Sequence, residues 1–238
     1  AAVTLPALWI AAALALLVGF GHALIALIVR ETRLFWHERW AAAWIVGCGA
    51  GAFAWFVLSP LYAWVAPIWL LTALMMGAVG FTGAGVGRAE ALRYRWSSPF
   101  RRWWRSPSEL SPTAIELALG ALLVVQVVAL LAAALRTPLG WDGLFNFEMK
   151  ARLAFEHAPA GQLPSGYFTD GSRTWSHPHY PLLVPFTEFW LYSWIGRIDQ
   201  SAVKIVFPMF FLSLIGIVAG AVRRFSDRRA GVISAIAL

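Results

Sequence analysis

The residues of this chain best suited to chemistry lie in one polar stretch, from Arg136 to Ser201. It holds the carboxylates Asp142 and Asp170, the cations Lys150 and Arg152, Tyr167, and the run Ser176-His177-Pro178-His179-Tyr180-Pro181-Leu182-Leu183. His177-x-His179, joined by Asp142 or Asp170, offers nitrogen and oxygen donors suited to a divalent metal ion. Each of these residues also has a plainer reading. Asp142 directly precedes a helical pattern and is a favoured N-cap type. Lys150 and Arg152 fit a solvated helix face, and Tyr167 and Tyr180 fit loop packing.

Everything around that stretch is apolar. The chain is 60% hydrophobic and only 13% charged, with mean hydropathy +0.67, against about 25% charged residues in a soluble domain. Residues 1–29, 41–87, 117–135 and 205–222 carry no charge. About 20 apolar residues cross the hydrocarbon layer as a helix, so the expected fold class is an all-α, polytopic membrane protein. Residues 1–29 lack a basic start and run longer than a signal-peptide core, so they read as a helix. The lone cysteine, Cys48, falls inside an expected span; it cannot pair within the chain and reads as a small buried residue. His22 and Gln126 are the polar groups inside spans, expected to hydrogen-bond between helices.

The net charge of +7 does not point to nucleic acid. Arg93, Arg95, Arg101, Arg102 and Arg105 interleave with Tyr94, Trp96, Trp103 and Trp104 between two apolar runs, as a headgroup interface selects. Membrane lipid, with anionic lipid at the basic loop 83–112, is the expected partner. Loops 30–40, 83–112 and 223–229 together hold 13 of the 19 basic residues. Placing all three in the cytoplasm gives spans at about 5–29, 41–58, 61–82, 114–135 and 202–222, with a turn at Ser59-Pro60 and a sixth span starting near Ala230. Thr113 and Glu116 have capping-box spacing at the start of span four. The apolar segment 180–196 then cannot cross, because a crossing would put Arg223, Arg224, Arg228 and Arg229 outside. It carries Glu188, Pro181 and Pro185 and is expected as a helix on or dipping into the outer face. Residues 143–157 form a first surface helix, with Leu144, Phe147, Ala151 and Phe155 on its apolar stripe and Glu148, Arg152 and Glu156 on its polar side. The chain divides into a three-span region, 1–112, and a second region, 113–238. Nine residues from Ala230 to Leu238 are too few to cross a bilayer, so the chain is expected to continue.

From residue 113 onward, the order of elements is specific. A span is followed by Asp142, a surface helix, Tyr167-Phe168, the His177–Leu183 run, a second surface helix, a span, an Arg-rich turn and another span. This order resembles the GT-C superfamily of membrane glycosyltransferases, and is most similar to the branch holding protein O-mannosyltransferases and the lipid A aminoarabinose transferase. The resemblance implies a bacterial cytoplasmic (inner) membrane location with loop 136–201 periplasmic or extracellular. It implies inverting transfer of a sugar from a polyprenyl-phosphate donor. Asp142 matches the family's acidic position and is the expected base. His177 stands where the family carries a phosphate-contacting Lys, so its anion binding would depend on pH. His179, Tyr180, Lys150, Arg152 and Tyr167 complete the expected substrate-binding set. No cofactor is implied with certainty; a divalent metal is the one candidate. The alternative is a non-enzymatic subunit of a membrane complex built on a transferase-like half. A transporter would need polar pairs or broken helices inside spans, which the spans scarcely offer.

Overall fold

The computed structural model describes residues 4–28, 34–58, 67–91, 114–157, 167, 170–172 and 177–238, with side chains for the same residues except 4–5, 67–69 and 83–91. All regular structure among the described residues is helical. Helices α1 (Thr4–Ile28), α2 (Trp36–Leu58), α3 (Pro67–Ala91) and α4 (Ala114–Arg136) come first. A π-helical turn (Gly143–Glu148) leads into α5 (Met149–Glu156). Then follow α6 (Leu183–Ile195), the short α7 (Gln200–Val203), α8 (Val206–Phe225) and α9 (Arg228–Ile236).

Among the described residues, four helices are long and apolar enough to cross a membrane: Pro6–Ile28, Trp36–Leu58, Ala114–Arg136 and Gln200–Phe225. They match expected spans one, two, four and five, although α2 begins at Trp36 rather than residue 41. The third expected span falls in α3, whose described apolar stretch is Leu70–Thr82. The turn at Ser59-Pro60, the cap residue Thr113 and most of the 83–112 loop lie outside the described residues, while 83–91 continue α3 as helix.

Two ends of the bundle are defined by side-chain contacts. At one end Glu38, in the first turn of α2, pairs with Arg224 in the last turn of α8. Its second oxygen accepts the Phe35 backbone N–H at 2.8 Å, and the Arg223 guanidinium lies 4.4 Å from the Phe35 ring. Arg229 at the start of α9 reaches Glu116 at the start of α4, 3.8 Å away. Arg223, Arg224 and Arg229 thus gather at one end with Phe35, Glu38 and Glu116, while Arg30, Arg33 and the arginine side chains of loop 83–112 lie outside the described residues. At the opposite end Lys204 donates to the carbonyls of Leu135 and Thr137, both at 2.8 Å, joining the end of α4 to the start of α8.

The bundle is tied by close helix crossings. A Cβ on Gly21 would run into the Ala43 carbonyl, and one on Gly47 into the Leu17 carbonyl; only glycine lets α1 and α2 touch backbone to backbone. Gly216 of α8 also faces α2, less tightly, where an added Cβ would lie 3.1 Å from that of Ala41. Gln126 of α4 donates to the Ile236 carbonyl of α9 at 3.0 Å, the interhelical bond expected of it. Cys48 is buried and free.

Helix α6 corrects the expectation of a surface helix. Its 13 residues span about 20 Å, short of the hydrocarbon thickness, so it does not cross. Yet Pro185 through Tyr192 are all buried. The Trp190 indole N–H donates to the Ala13 carbonyl at 3.1 Å, Trp9 and Trp194 lie 5.9 Å apart, and Trp55 and Phe189 lie 4.6 Å apart. The helix is wedged against α1 and α2 on one side and α5 on the other. It ends at Gly196, whose φ of 76° is the left-handed C-terminal turn that glycine adopts without a Cβ clash.

Candidate functional site

The site lies at the end of the bundle opposite the arginines, on the helix 141–156. Asp142 is exposed and already helical, with φ −65° and ψ −40° and no capping hydrogen bond from its side chain. The N-cap role is therefore not the one it plays. Its Oδ1 instead accepts the Asn146 side-chain N–H at 2.9 Å. Asn146 is buried, and its own Oδ1 has no partner.

The π-helical turn explains a second correction. The Met149 N–H bonds back to the Leu144 carbonyl, five residues earlier. Such a turn holds an extra residue, so everything after it rotates by about 100° relative to a regular helix. Of the polar side drawn from regular spacing, Arg152 is half-exposed and Glu156 exposed, and Ala151 of the apolar stripe is buried, as expected; Glu148 departs from it. Glu148, expected on the solvated face, is buried to 1% exposure. Lys150, read as a solvated cation or a phosphate contact, is fully buried as well. Asp142, Asn146 and Lys150 follow at four-residue spacing, and the stripe leads from solvent into the protein.

Lys150 Nζ donates to the His177 carbonyl at 2.8 Å and lies 5.8 Å from the centre of the Tyr180 ring. Burial lowers its pKa from 10.5 to about 8. His177 has a φ of 44°, a left-handed conformation that costs roughly 1 kcal/mol for a residue with a Cβ. The Lys150 bond, the Tyr180 N–H bonded to the same carbonyl at 3.0 Å, and a ring stack on Tyr180 at 4.6 Å hold it there. Lys150, His177 and Tyr180 thus form one group. His177, His179 and Tyr180 are exposed. Tyr167 is buried. Asp170 is exposed and accepts from the Ser172 N–H and hydroxyl at 3.0 and 2.7 Å, which closes a local turn. Among the described residues no group of three or more His, Cys, Asp or Glu can hold a metal ion. The set Asp142, Asp170, His177 and His179 is not brought together.

A buried polar cluster sits behind this face. Tyr192 of α6 donates its hydroxyl to Glu148 at 2.8 Å, and Arg152, 41% exposed, lies 3.5 Å from the same carboxylate oxygen. Glu188, one turn before Tyr192, is 0% exposed and neither of its oxygens has a partner. Burial and the neighbouring Glu148 charge push the Glu188 pKa well above its usual 4.5. Burial and the bond to Glu148 also raise the Tyr192 pKa. Sequence reasoning missed Asn146 and Tyr192 and used Glu188 only to argue against a crossing. One signal was present: a carboxylate in the middle of a 13-residue apolar helix is a functional suspect by default.

No family model, curated protein or solved structure matches this chain.

Proposed function

We propose that this chain is a membrane glycosyltransferase of the GT-C kind. It moves a sugar from a polyprenyl-phosphate donor to an acceptor hydroxyl on the outer face of a bacterial cytoplasmic membrane. The observation that carries this reading is the exposed Asp142 carboxylate, held by buried Asn146 at the bundle end away from the arginines. A base for this reaction must stand at headgroup level, where the lipid keeps the donor's sugar–phosphate bond. It must also have an open face, and Asp142 has both an anchored oxygen and solvent access.

In this mechanism Asp142 takes the proton of the acceptor hydroxyl as its oxygen attacks the sugar C1. The C1–O bond to phosphate breaks, the bonding pair leaves with the polyprenyl phosphate, and C1 inverts. Cations stabilise the departing phosphate. Lys150 is buried and committed to the His177 carbonyl, so its part is to shape the loop. The exposed His177 and His179 are the groups placed to meet phosphate, with Arg152 beside them only if it leaves Glu148. Tyr180, 45% exposed, is placed to pack against a sugar.

The test is donor turnover. The full chain in liposomes, given a labelled polyprenyl-phosphate sugar and a membrane acceptor fraction, is expected to release polyprenyl phosphate, and Asp142→Asn is expected to stop it without unfolding the protein. A second reading, a non-enzymatic subunit of a membrane complex, is favoured by α4, none of whose 23 residues is buried. It predicts no turnover and co-purification of a helical partner on α4.

A further inference from the structure

We infer that Glu148 and Glu188 form a two-carboxyl, one-proton lock between α6 and the helix 141–156: while Glu188 keeps its proton, α6 stays docked and the His177–Leu182 segment stays against Lys150. This inference does not depend on the transfer chemistry. The two carboxyls are 1% and 0% exposed and sit on helices packed against each other. Glu148 is provided for, since one oxygen takes the Tyr192 hydroxyl at 2.8 Å and the Arg152 guanidinium is 3.5 Å away. Glu188 has nothing, and both its oxygens are buried without a donor.

A buried carboxylate without donors is far costlier than a buried neutral carboxyl, and two adjacent carboxyls out of water cannot both ionise cheaply. The proton therefore resides on Glu188. The groups facing it agree. From its own helix comes Tyr192, already bonded to Glu148. From the π-helical turn and α5 come Glu148, Arg152 and Lys150, the last turned toward His177. The parts of α1 and α2 that meet α6, around Ala13, Leu17, Ala52 and Trp55, bring only the Cys48 thiol. Lys204, after α7, is bonded to the Leu135 and Thr137 carbonyls. None of the cations among these residues is bonded to Glu188.

The lock acts on the site because of chain connectivity. Residues 177–182 run directly into α6, and Lys150 holds their first carbonyl. When Glu188 ionises, two negative charges face each other across the α5–α6 contact. The contact that relieves this most easily is the short α6, whose departure carries His177 away from Lys150. The sign is fixed. The folded state keeps a proton on Glu188 that the unfolded state loses above pH 4.5, so stability falls as pH rises beyond that value.

Infrared spectroscopy of the full detergent-solubilised chain tests this directly. Wild type at pH 7 is expected to show the C=O stretch of a protonated carboxyl, lost in Glu188→Gln and retained in Arg152→Gln. Melting temperature is expected to fall by about 4 °C per pH unit above the unfolded pKa in wild type, and to lose that slope in Glu188→Gln. Acylation of Lys150 is expected to rise with pH more steeply in wild type than in Glu188→Gln. Absence of the protonated-carboxyl band in wild type at pH 7 would overturn the inference, and so would a band or slope that survives in Glu188→Gln. If Glu188→Gln does not fold, the wild-type infrared titration alone decides.

Discussion

Each end of this bundle buries a glutamate, and the two are treated in opposite ways. Glu38 has one oxygen paired with Arg224 and the other accepting the Phe35 N–H, and Gly220 of α8 leaves the room its side chain fills. Glu188 is as deeply buried and has no donor at all. The contrast separates two uses of a buried carboxylate. A fully partnered ion pair fixes how two helices meet; a bare carboxyl beside a second one stores strain and a proton. The bare one lies behind the loop that carries Asp142, which is where stored strain is expected to serve function.

The contrast can be broken by substitution. Glu38→Ala leaves the Phe35 N–H and the Arg224 guanidinium without their carboxylate. With Arg224 side-chain exposure at 43%, the loss is expected at about 2 kcal/mol in reversible detergent or urea unfolding. Glu188→Leu removes a bare carboxyl and should be neutral or stabilising by about 1 kcal/mol near pH 8. A loss from Glu188→Leu as large as that from Glu38→Ala would erase the distinction between the two ends.

A smaller effect sharpens the same contrast. Lys150 has its pKa lowered to about 8 from 10.5. Below pH 8 it is charged in both states and the cost of burying it is fully present. Between 8 and 10.5 the folded state releases its proton first, so stability rises with pH across that window. Lys150→Met is expected to remove that rise, as read by chemical denaturation at both ends of the window. Glu188 acts with the opposite sign, lowering stability as pH rises above 4.5.

The coarse fold was legible because its signals are long. Charge-free runs of about 20 residues placed spans one, two, four and five where span-length helices lie, and the contacts Glu38–Arg224 and Glu116–Arg229 draw the 223–229 cluster to the starts of α2 and α4. The segment 180–196 was correctly kept out of the crossing count by its length and its charges. Its burial was not legible, since Trp190, Tyr192 and Trp194 suit a membrane interface and a packed wedge equally well. The site was half legible. Asp142 stands where chain order put it, and Lys150, His177 and Tyr180 do meet. The burial of Glu148 and Lys150 was not legible, because they lie at the end of a π-helical turn and just after it, and nothing in the Gly143–Glu148 composition marks that turn. Asn146 was invisible for the same reason: its importance comes from a bond to Asp142 that only the winding creates.

The most direct test of the proposed chemistry is a paired measurement on Asp142→Asn, with donor turnover and melting temperature read on the same liposome preparation. Loss of a positioned base is expected to lower turnover by roughly 1,000-fold, about 4 kcal/mol in activation free energy. The melting temperature should stay that of wild type, because Asp142 is exposed and its one hydrogen bond to Asn146 can be kept by an amide. Turnover in Asp142→Asn within about threefold of wild type would contradict the account.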